Sequence, residues 1–133
     1  MNKMMKIIKV TAATTAMMIA LSNGAAAMGD AAKGEKVFKR CKACHYVDKD
    51  INKTGPTLLN VMGRTAGSLE NYKKYSKAMI AAGEGGLVWD DASLTEYLRK
   101  PKAYIKGTKM AFAGLKKDSQ LADVIAYLKT FSE

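Results

Sequence analysis

Two cysteines and a histidine stand within five positions of one another in this 133-residue chain. Cys41, Cys44 and His45 form the pattern C-x-x-C-H, and His45 is the only histidine in the sequence. Residues three apart at a helix end lie on one side of it, so both sulfurs can form thioethers with adjacent vinyl groups of a porphyrin. The neighbouring imidazole can then bind the iron from the same face. The spacing therefore predicts a covalently attached c-type haem.

Two other chemistries also use paired cysteines. A structural zinc site needs four ligands, and the two cysteines and one histidine of this chain supply three. A thioredoxin-like dithiol would suit an exported protein, but that motif belongs to a βαβ setting. Here an amphipathic helix precedes the cysteines, and no strand pattern flanks them. The haem interpretation is favoured, and an exported thiol oxidoreductase is the alternative that predicts two titratable thiols and no haem.

The opposite face of the iron needs a ligand other than histidine. The methionines after residue 27 are Met28, Met62, Met79 and Met110. Met28 would be the frayed first residue, and Met62 and Met79 lie in apolar stripes, where methionine usually fills the core. Met110 lies in a predicted loop, which can bring a side chain to a metal without also obeying a helix-packing pattern. The pattern favours Met110 and leaves the other methionines open.

The first 27 residues have the pattern of a bacterial export signal. Three lysines precede a mostly apolar run over residues 10–21, and Ala25-Ala26-Ala27 offers the small residues that a signal peptidase recognises. We expect cleavage after Ala27, which leaves residues 28–133 as one periplasmic domain. An uncleaved anchor would need roughly 20 apolar residues. A mitochondrial presequence would favour arginine, which this segment lacks.

The expected mature domain is strongly basic. Removing residues 1–27 takes away three lysines and no acid, so the remaining 106 residues have a formal net charge of +7. For an exported protein this charge favours an acidic protein surface or an anionic membrane face as partner, and nucleic acid is not expected. No later stretch approaches the length of a membrane-spanning helix, so we expect a soluble domain.

Apolar spacings of three and four predict an all-α fold. The first helix is expected to run into Cys41, and the second to span 69–82. A third, capped by Asp90 or Asp91, is expected to end at Pro101, and a last helix to be capped by Asp118 or Ser119. Residues 46–68 and 102–117 show no clean period. Irregular segments this long usually surround something functional, and a large apolar prosthetic group would complete the core.

The chain resembles the class I c-type cytochromes, of the mitochondrial or bacterial c2 type, over nearly all of residues 29–131. The resemblance rests on the C-x-x-C-H motif, on Trp89 and on four further stretches: 54–58, Gly63-Arg64, 97–114 and 122–129. It implies crossing N- and C-terminal helices with loops wrapped around one covalently bound haem c. The implied function is that of a single-electron carrier, not an enzyme. The implied route runs from a respiratory or photosynthetic quinol-oxidising complex to an acceptor such as an oxidase.

The resemblance also implies roles for individual residues. His45 and Met110 are the implied axial ligands, and Gly34 and Phe38 are expected to meet the last helix near Tyr127. The carbonyl of Pro56 is expected to accept from the His45 ring, Tyr97 to lie near the Met110 sulfur, and Phe112 to shield the haem edge. The polar groups expected to hold the haem propionates belong to Arg64, Tyr75, Trp89 and Thr108.

Several basic residues fall near the attachment motif or the Met110 loop, where they are expected to dock acidic redox partners such as a quinol–cytochrome c reductase or an oxidase. An ordinary solvated surface is the alternative. We expect a monomer with at most peripheral membrane contact. These residues are Lys36, Arg40, Lys53, Lys102, Lys109, Lys116 and Lys117.

Three positions depart from the resemblance. Met79 stands where asparagine is usual, Lys106 where proline is common, and Asn52 where histidine is often found. The departure at Met79 bears on the haem potential, and the departure at Lys106 bears on the stability of the Met110 loop. An alternative function is a haem enzyme or sensor with peroxidase-like activity after Met110 leaves the iron.

Overall fold

A computed structural model describes residues 28–133, so the expected export signal lies outside the described residues. In chain order the helices are α1 (Ala31–Phe38), α2 (Lys77–Glu84), α3 (Asp91–Arg99), α4 (Pro101–Tyr104) and α5 (Asp118–Lys129). Within this part of the chain no strand forms, and one antiparallel bridge joins Thr65 to Val88. The all-α prediction is confirmed. None of the helices in residues 28–133 has the length and apolar character needed to cross a membrane.

Helices α1 and α5 cross at a point where the backbones nearly touch. A Cβ atom built on Gly34 would lie 1.9 Å from the backbone oxygen of Asp123, so only glycine fits at this crossing. Beside it, the rings of Phe38 and Tyr127 lie 5.4 Å apart between centroids. The expected contact of Gly34 and Phe38 with the last helix is confirmed. The apolar stripe of α5 is buried through Leu121, Val124, Ile125 and Leu128.

Of the two predicted helix caps, the one at α3 is confirmed and the one at α5 is wrong, while Asp30 caps α1 without having been predicted. The Asp30 carboxylate accepts from the backbone N–H groups of the first turn of α1. Asp90 and Ser93 form a reciprocal capping box at α3, as the sequence predicts. The predicted cap of α5 is wrong, because Lys117 occupies the cap position without a side-chain bond. Asp118 is instead the first helical residue and pairs with Arg99 at 2.7 Å.

The helix predicted over 69–82 is shorter and begins later. The hydroxyl of Ser76 accepts from the Met79 N–H and starts α2, so the preceding residues lie outside the helix. Helix α1 likewise ends at Phe38, and two turns carry the chain from there to His45. The loop predicted over 102–116 is partly helical, because α4 extends into it as far as Tyr104. Pro101 stands at the first position of this single turn, where its missing N–H costs nothing.

Candidate functional site

One cavity of about 340 Å³ gathers the residues that the sequence singled out. Cys41, Cys44, His45 and Met110 all line it, although Met110 lies more than 60 positions from the motif. Among the other methionines, Met79 also lines the cavity. All seven expected pocket residues are present in its wall, namely Pro56, Arg64, Tyr75, Trp89, Tyr97, Thr108 and Phe112.

Backbone turns after α1 present the motif to the cavity. The Cys44 and His45 N–H groups both donate to the carbonyl of Cys41, at 3.0 and 2.9 Å. Neither cysteine is in a disulfide. The Cys41 side chain is half-buried, and this burial raises the pKa of its thiol to about 11. Both sulfurs line the same cavity and are free to form a covalent bond with a group held in it.

The imidazole of His45 is fixed by its neighbours. Its Nδ1 donates to the carbonyl oxygen of Pro56 at 2.7 Å, which leaves Nε2 as the ring atom with a free lone pair. Burial lowers the pKa of His45, so the ring is held in its neutral form. A Cβ atom on Gly55 would lie 2.2 Å from Cε1, and glycine here lets the ring lie against the backbone.

Thr108 organises the loop that carries Met110. Its hydroxyl pairs with the Tyr97 hydroxyl at 2.8 Å and accepts from the Met110 N–H at 3.4 Å. Tyr97 itself is buried against Trp89, with ring centroids 5.0 Å apart. The buried tyrosine thus fixes the start of the loop through one side-chain hydrogen bond. The sequence did not predict this pair.

Arg64 bridges two carbonyl oxygens of the neighbouring loop. Its Nη1 donates to Thr57 O at 2.7 Å and its Nη2 to Leu59 O at 2.5 Å. Burial lowers the pKa of this guanidinium, but an arginine side chain stays protonated in proteins and so places a positive charge at the cavity wall. Beside it, burial raises the pKa of the Tyr75 phenol, so Tyr75 remains an uncharged hydroxyl.

We expect Arg64→Lys to lower the free energy of unfolding by about 1.5–3 kcal/mol, because a single ammonium group cannot bridge both carbonyl oxygens. Thermal unfolding of the holoprotein measures the change. Arg40→Lys is the control, since Arg40 also lines the cavity but has no side-chain hydrogen bond to either carbonyl. Equal stability of Arg64→Lys and the unsubstituted protein would contradict the bridging role.

Asn52 and Tyr72 also support the site, which the sequence did not predict. The Asn52 side chain accepts from Thr57 N–H at 2.9 Å, and the Tyr72 hydroxyl donates to Thr54 O at 2.6 Å. The first bond closes a local loop and the second joins residues 18 positions apart, and neither side chain belongs to a recognisable motif. Met79, which the sequence placed on an apolar stripe and left open as a candidate ligand, also lines the cavity.

The seven expected docking residues are distributed unevenly around the cavity. Arg40 and Lys109 line it. Lys53 is half-buried, with its Nζ 4.6 Å from the Tyr46 ring centroid and donating to Lys42 O at 2.7 Å. The remaining four are exposed and, within residues 28–133, take no part in an ion pair: Lys36, Lys102, Lys116 and Lys117.

The donor set around the cavity fits a covalently bound haem. Two thiols can form thioethers, while an imidazole nitrogen and a thioether sulfur are suitable iron ligands. The rest of the wall is largely apolar, including Leu58, Leu94 and Leu98. Among the described residues, every fully buried side-chain polar atom has a hydrogen-bond partner.

Known proteins resemble the chain over most of the described residues. The family model described as Cytochrome c matches residues 31–132. A cytochrome c2 of Afifella marina is 55% identical over 101 residues, which cover 75% of this chain and 81% of that protein. A cytochrome c2 of Rhodomicrobium vannielii is 46% identical over 127 residues, covering 95% and 97%.

Solved structures show the same similarity. Cytochrome cH from Methylobacterium extorquens superposes with a TM-score of 0.69 at 46% identity, covering 77% of this chain and 99% of that one. Cytochrome c2 from Rhodospirillum centenum superposes with a TM-score of 0.75 at 41% identity, covering 79% and 100%.

Proposed function

The chain belongs to the cytochrome c family, and from this premise we propose that it is a periplasmic carrier of single electrons whose haem iron is bound by His45 and Met110. The family relationship shows that the protein carries one covalently attached haem c. It also shows that the protein transports electrons and is not an enzyme. The axial ligands, the compartment and the route of the electrons go beyond the family relationship and are what we propose.

The observation that carries the proposal is the convergence of four donor side chains on one cavity. Cys41 and Cys44 would hold the haem through thioethers, while His45 Nε2 and the Met110 sulfur approach from different segments of the chain. When bound, the haem supplies one-electron chemistry at its iron. With both axial positions occupied by protein atoms, no position is left for a substrate, and the remaining task is electron exchange.

The walls of the cavity support a high reduction potential. A thioether ligand and an apolar surrounding favour the less charged reduced state. The hydrogen bond from His45 Nδ1 to Pro56 O adjusts the basicity of the imidazole and keeps its orientation. Arg64 supplies a positive charge, and Tyr75 and Trp89 supply hydrogen-bond donors, where haem propionates would need them.

The export pattern of residues 1–27 supports a periplasmic location, and we propose cleavage after Ala27. Residues 28–133 then form the mature carrier, which acts as a monomer between a quinol-oxidising complex and an oxidase or similar acceptor. Phe112 lines the cavity and is half-exposed, which suits the proposed role of shielding the haem edge where electrons pass.

Carbon monoxide binding tests the proposed function. If His45 and Met110 occupy both axial positions, the reduced protein at neutral pH does not bind carbon monoxide, and its visible spectrum is unchanged by the gas. The oxidised protein also shows a sulfur-to-iron charge-transfer band. Ready carbon monoxide binding at neutral pH would contradict the carrier and support a haem enzyme or sensor.

The basic residues around the cavity give a second prediction. Charges near a reactive edge raise the rate of encounter with oppositely charged partners, and salt screens this effect. We therefore expect the reduced protein to transfer electrons to ferricyanide more slowly as ionic strength rises. Arg40→Glu should lower the rate at low salt by about fivefold.

Lys33→Glu is the matched control, because Lys33 carries the same charge but belongs to the first turn of α1, 4.0 Å from the Asp30 carboxylate. It should lower the rate by less than about twofold, a loss attributable to net charge alone. A rate independent of ionic strength, or equal losses in the two variants, would contradict docking at the cavity.

A further inference from the structure

The turns that carry the attachment motif, residues 41–45, leave one carbonyl group without a backbone partner. The N–H groups of Cys44 and His45 both donate to Cys41 O, at 3.0 and 2.9 Å. Within residues 28–133, no backbone N–H group donates to the next carbonyl oxygen, that of Lys42. Carbonyl groups at the end of a helix or turn need another donor, and a lysine side chain can supply it.

The side chain of Lys53 supplies this donor. Its Nζ donates to Lys42 O at 2.7 Å, across a separation of 11 residues in the chain. The backbone of the same short segment, residues 52–57, makes a second bond to the motif, because Gly55 N–H donates to Cys44 O at 2.8 Å. Lys53 and Gly55 therefore bind neighbouring carbonyls of the motif.

The ring of Tyr46 restricts the Lys53 ammonium group to this position. The distance from Nζ to the ring centroid is 4.6 Å, which is a cation–π contact. Tyr46 is half-buried, and its own carbonyl accepts from Leu58 N–H at 2.8 Å. A side chain that is already restricted loses less conformational entropy when its hydrogen bond forms. The ring contact therefore strengthens the bond to Lys42 O.

We infer that Lys53 is a positioning residue of the attachment motif, with Tyr46 as the support of its ammonium group, and not a free docking charge. The hydrogen bond and the ring contact carry this inference, and only its effect on the iron rests on the proposed ligation by His45. An ammonium held on two sides cannot pair with a partner's carboxylate unless it leaves the motif. Removing it should therefore loosen the motif even when no redox partner is present.

Amide hydrogen exchange in the reduced holoprotein, without a partner, tests this role. The probe is Gly55 N–H, because its bond to Cys44 O joins the same two segments as the Lys53 bond. Lys53→Met keeps the apolar stem and removes the ammonium group. We expect it to make Gly55 N–H exchange about threefold faster, because one of the bonds between the two segments is lost. An unchanged rate would overturn the inference.

Two further variants separate the bond from the charge. Lys49 also faces the Tyr46 ring, with its Nζ 5.2 Å from the centroid, but among the described residues its ammonium group has no hydrogen-bond partner. Lys49→Met should therefore change the rate by less than about 1.5-fold. Lys53→Arg keeps the charge, the donors and the aromatic contact, and should stay equally close to the normal rate. If Lys49→Met and Lys53→Met have equal effects, Lys53 is only a surface charge.

The role of the ring is tested in the Tyr46→Leu background. If Tyr46 holds the ammonium group in place, Lys53→Met has less to remove once the ring is gone. Its effect on Gly55 exchange should then fall from about threefold to less than about 1.5-fold. An equal effect in both backgrounds would show that the ring does not support Lys53.

The reduction potential measures the consequence for the haem. A positive charge held beside the motif disfavours the oxidised iron, and salt screens a half-buried charge less than an exposed one. In concentrated salt, Lys53→Met should lower the equilibrium constant for reduction of the protein by ferrocyanide about threefold, while Lys53→Arg and Lys49→Met stay within about 1.5-fold. Equal shifts for Lys53→Met and Lys49→Met would contradict a fixed charge. If the unsubstituted protein lacks the sulfur-to-iron band, the proposed ligation fails, and the exchange rates alone decide the role of Lys53.

Discussion

Met110→Ala should abolish the sulfur-to-iron charge-transfer band of the oxidised protein and let the reduced protein bind carbon monoxide. The reduction potential should fall by a few tenths of a volt, within the roughly 0.8 V that axial ligands span. The physical reason is the loss of a thioether that favours the reduced iron and closes its sixth position. Visible spectroscopy with redox titration measures all three changes.

Met79→Leu is the matched control for Met110→Ala. Met79 lines the same cavity but belongs to α2, where its backbone N–H is bound by the cap residue Ser76. Replacing its sulfur with an isosteric apolar side chain should preserve the charge-transfer band and cost less than about 1.5 kcal/mol of stability. If Met79→Leu loses the band and Met110→Ala keeps it, Met79 is the ligand and the proposed assignment is wrong.

Gly34→Ala should lower the free energy of unfolding by at least about 3 kcal/mol, because its Cβ would overlap backbone that cannot move independently. The new methyl group would lie 1.9 Å from Asp123 O and 2.8 Å from the Tyr127 Cβ. Helices α1 and α5 would have to separate, which would open the packing of Phe38 against Tyr127. Denaturant unfolding of the holoprotein gives the change.

Gly85→Ala is the control for the crossing. It also replaces a glycine by alanine, at the C-terminal cap of α2, but the new Cβ would meet its nearest neighbours at 3.4 Å, an ordinary contact, and its φ of −75° suits alanine. Its stability should change by less than about 1 kcal/mol. Similar losses for Gly34→Ala and Gly85→Ala would show that the close crossing is not what requires Gly34.

The core helices were predictable because their signals are local. The apolar stripe of α5 and the Asp90 cap of α3 both depend on residues three or four positions apart, and both elements form where expected. Residues 69–76 were predicted as helix because Leu69, Tyr72 and Ser76 share a helical face. There the cap formed by Ser76 and the bond from Tyr72 to a distant carbonyl override that spacing.

The residues of the site also fall into those that local sequence predicts and those that depend on the folded chain. The C-x-x-C-H motif predicts haem attachment from five adjacent residues, whereas spacing alone left Met110 only favoured among four methionines. The resemblance to c-type cytochromes supplied the pocket residues, which the structure gathers around one cavity. The bonds of Asn52 to Asn71 O and of Thr108 to Tyr97 were not predictable, because each depends on loop paths that only the folded chain defines.

The central claim is that both cysteines of the motif are bonded to one haem, and intact-mass measurement after thiol alkylation tests it most directly. We predict a denatured protein whose mass exceeds that of the polypeptide by one haem, with neither Cys41 nor Cys44 alkylated. A colourless protein of bare polypeptide mass, in which both thiols react, would contradict the account.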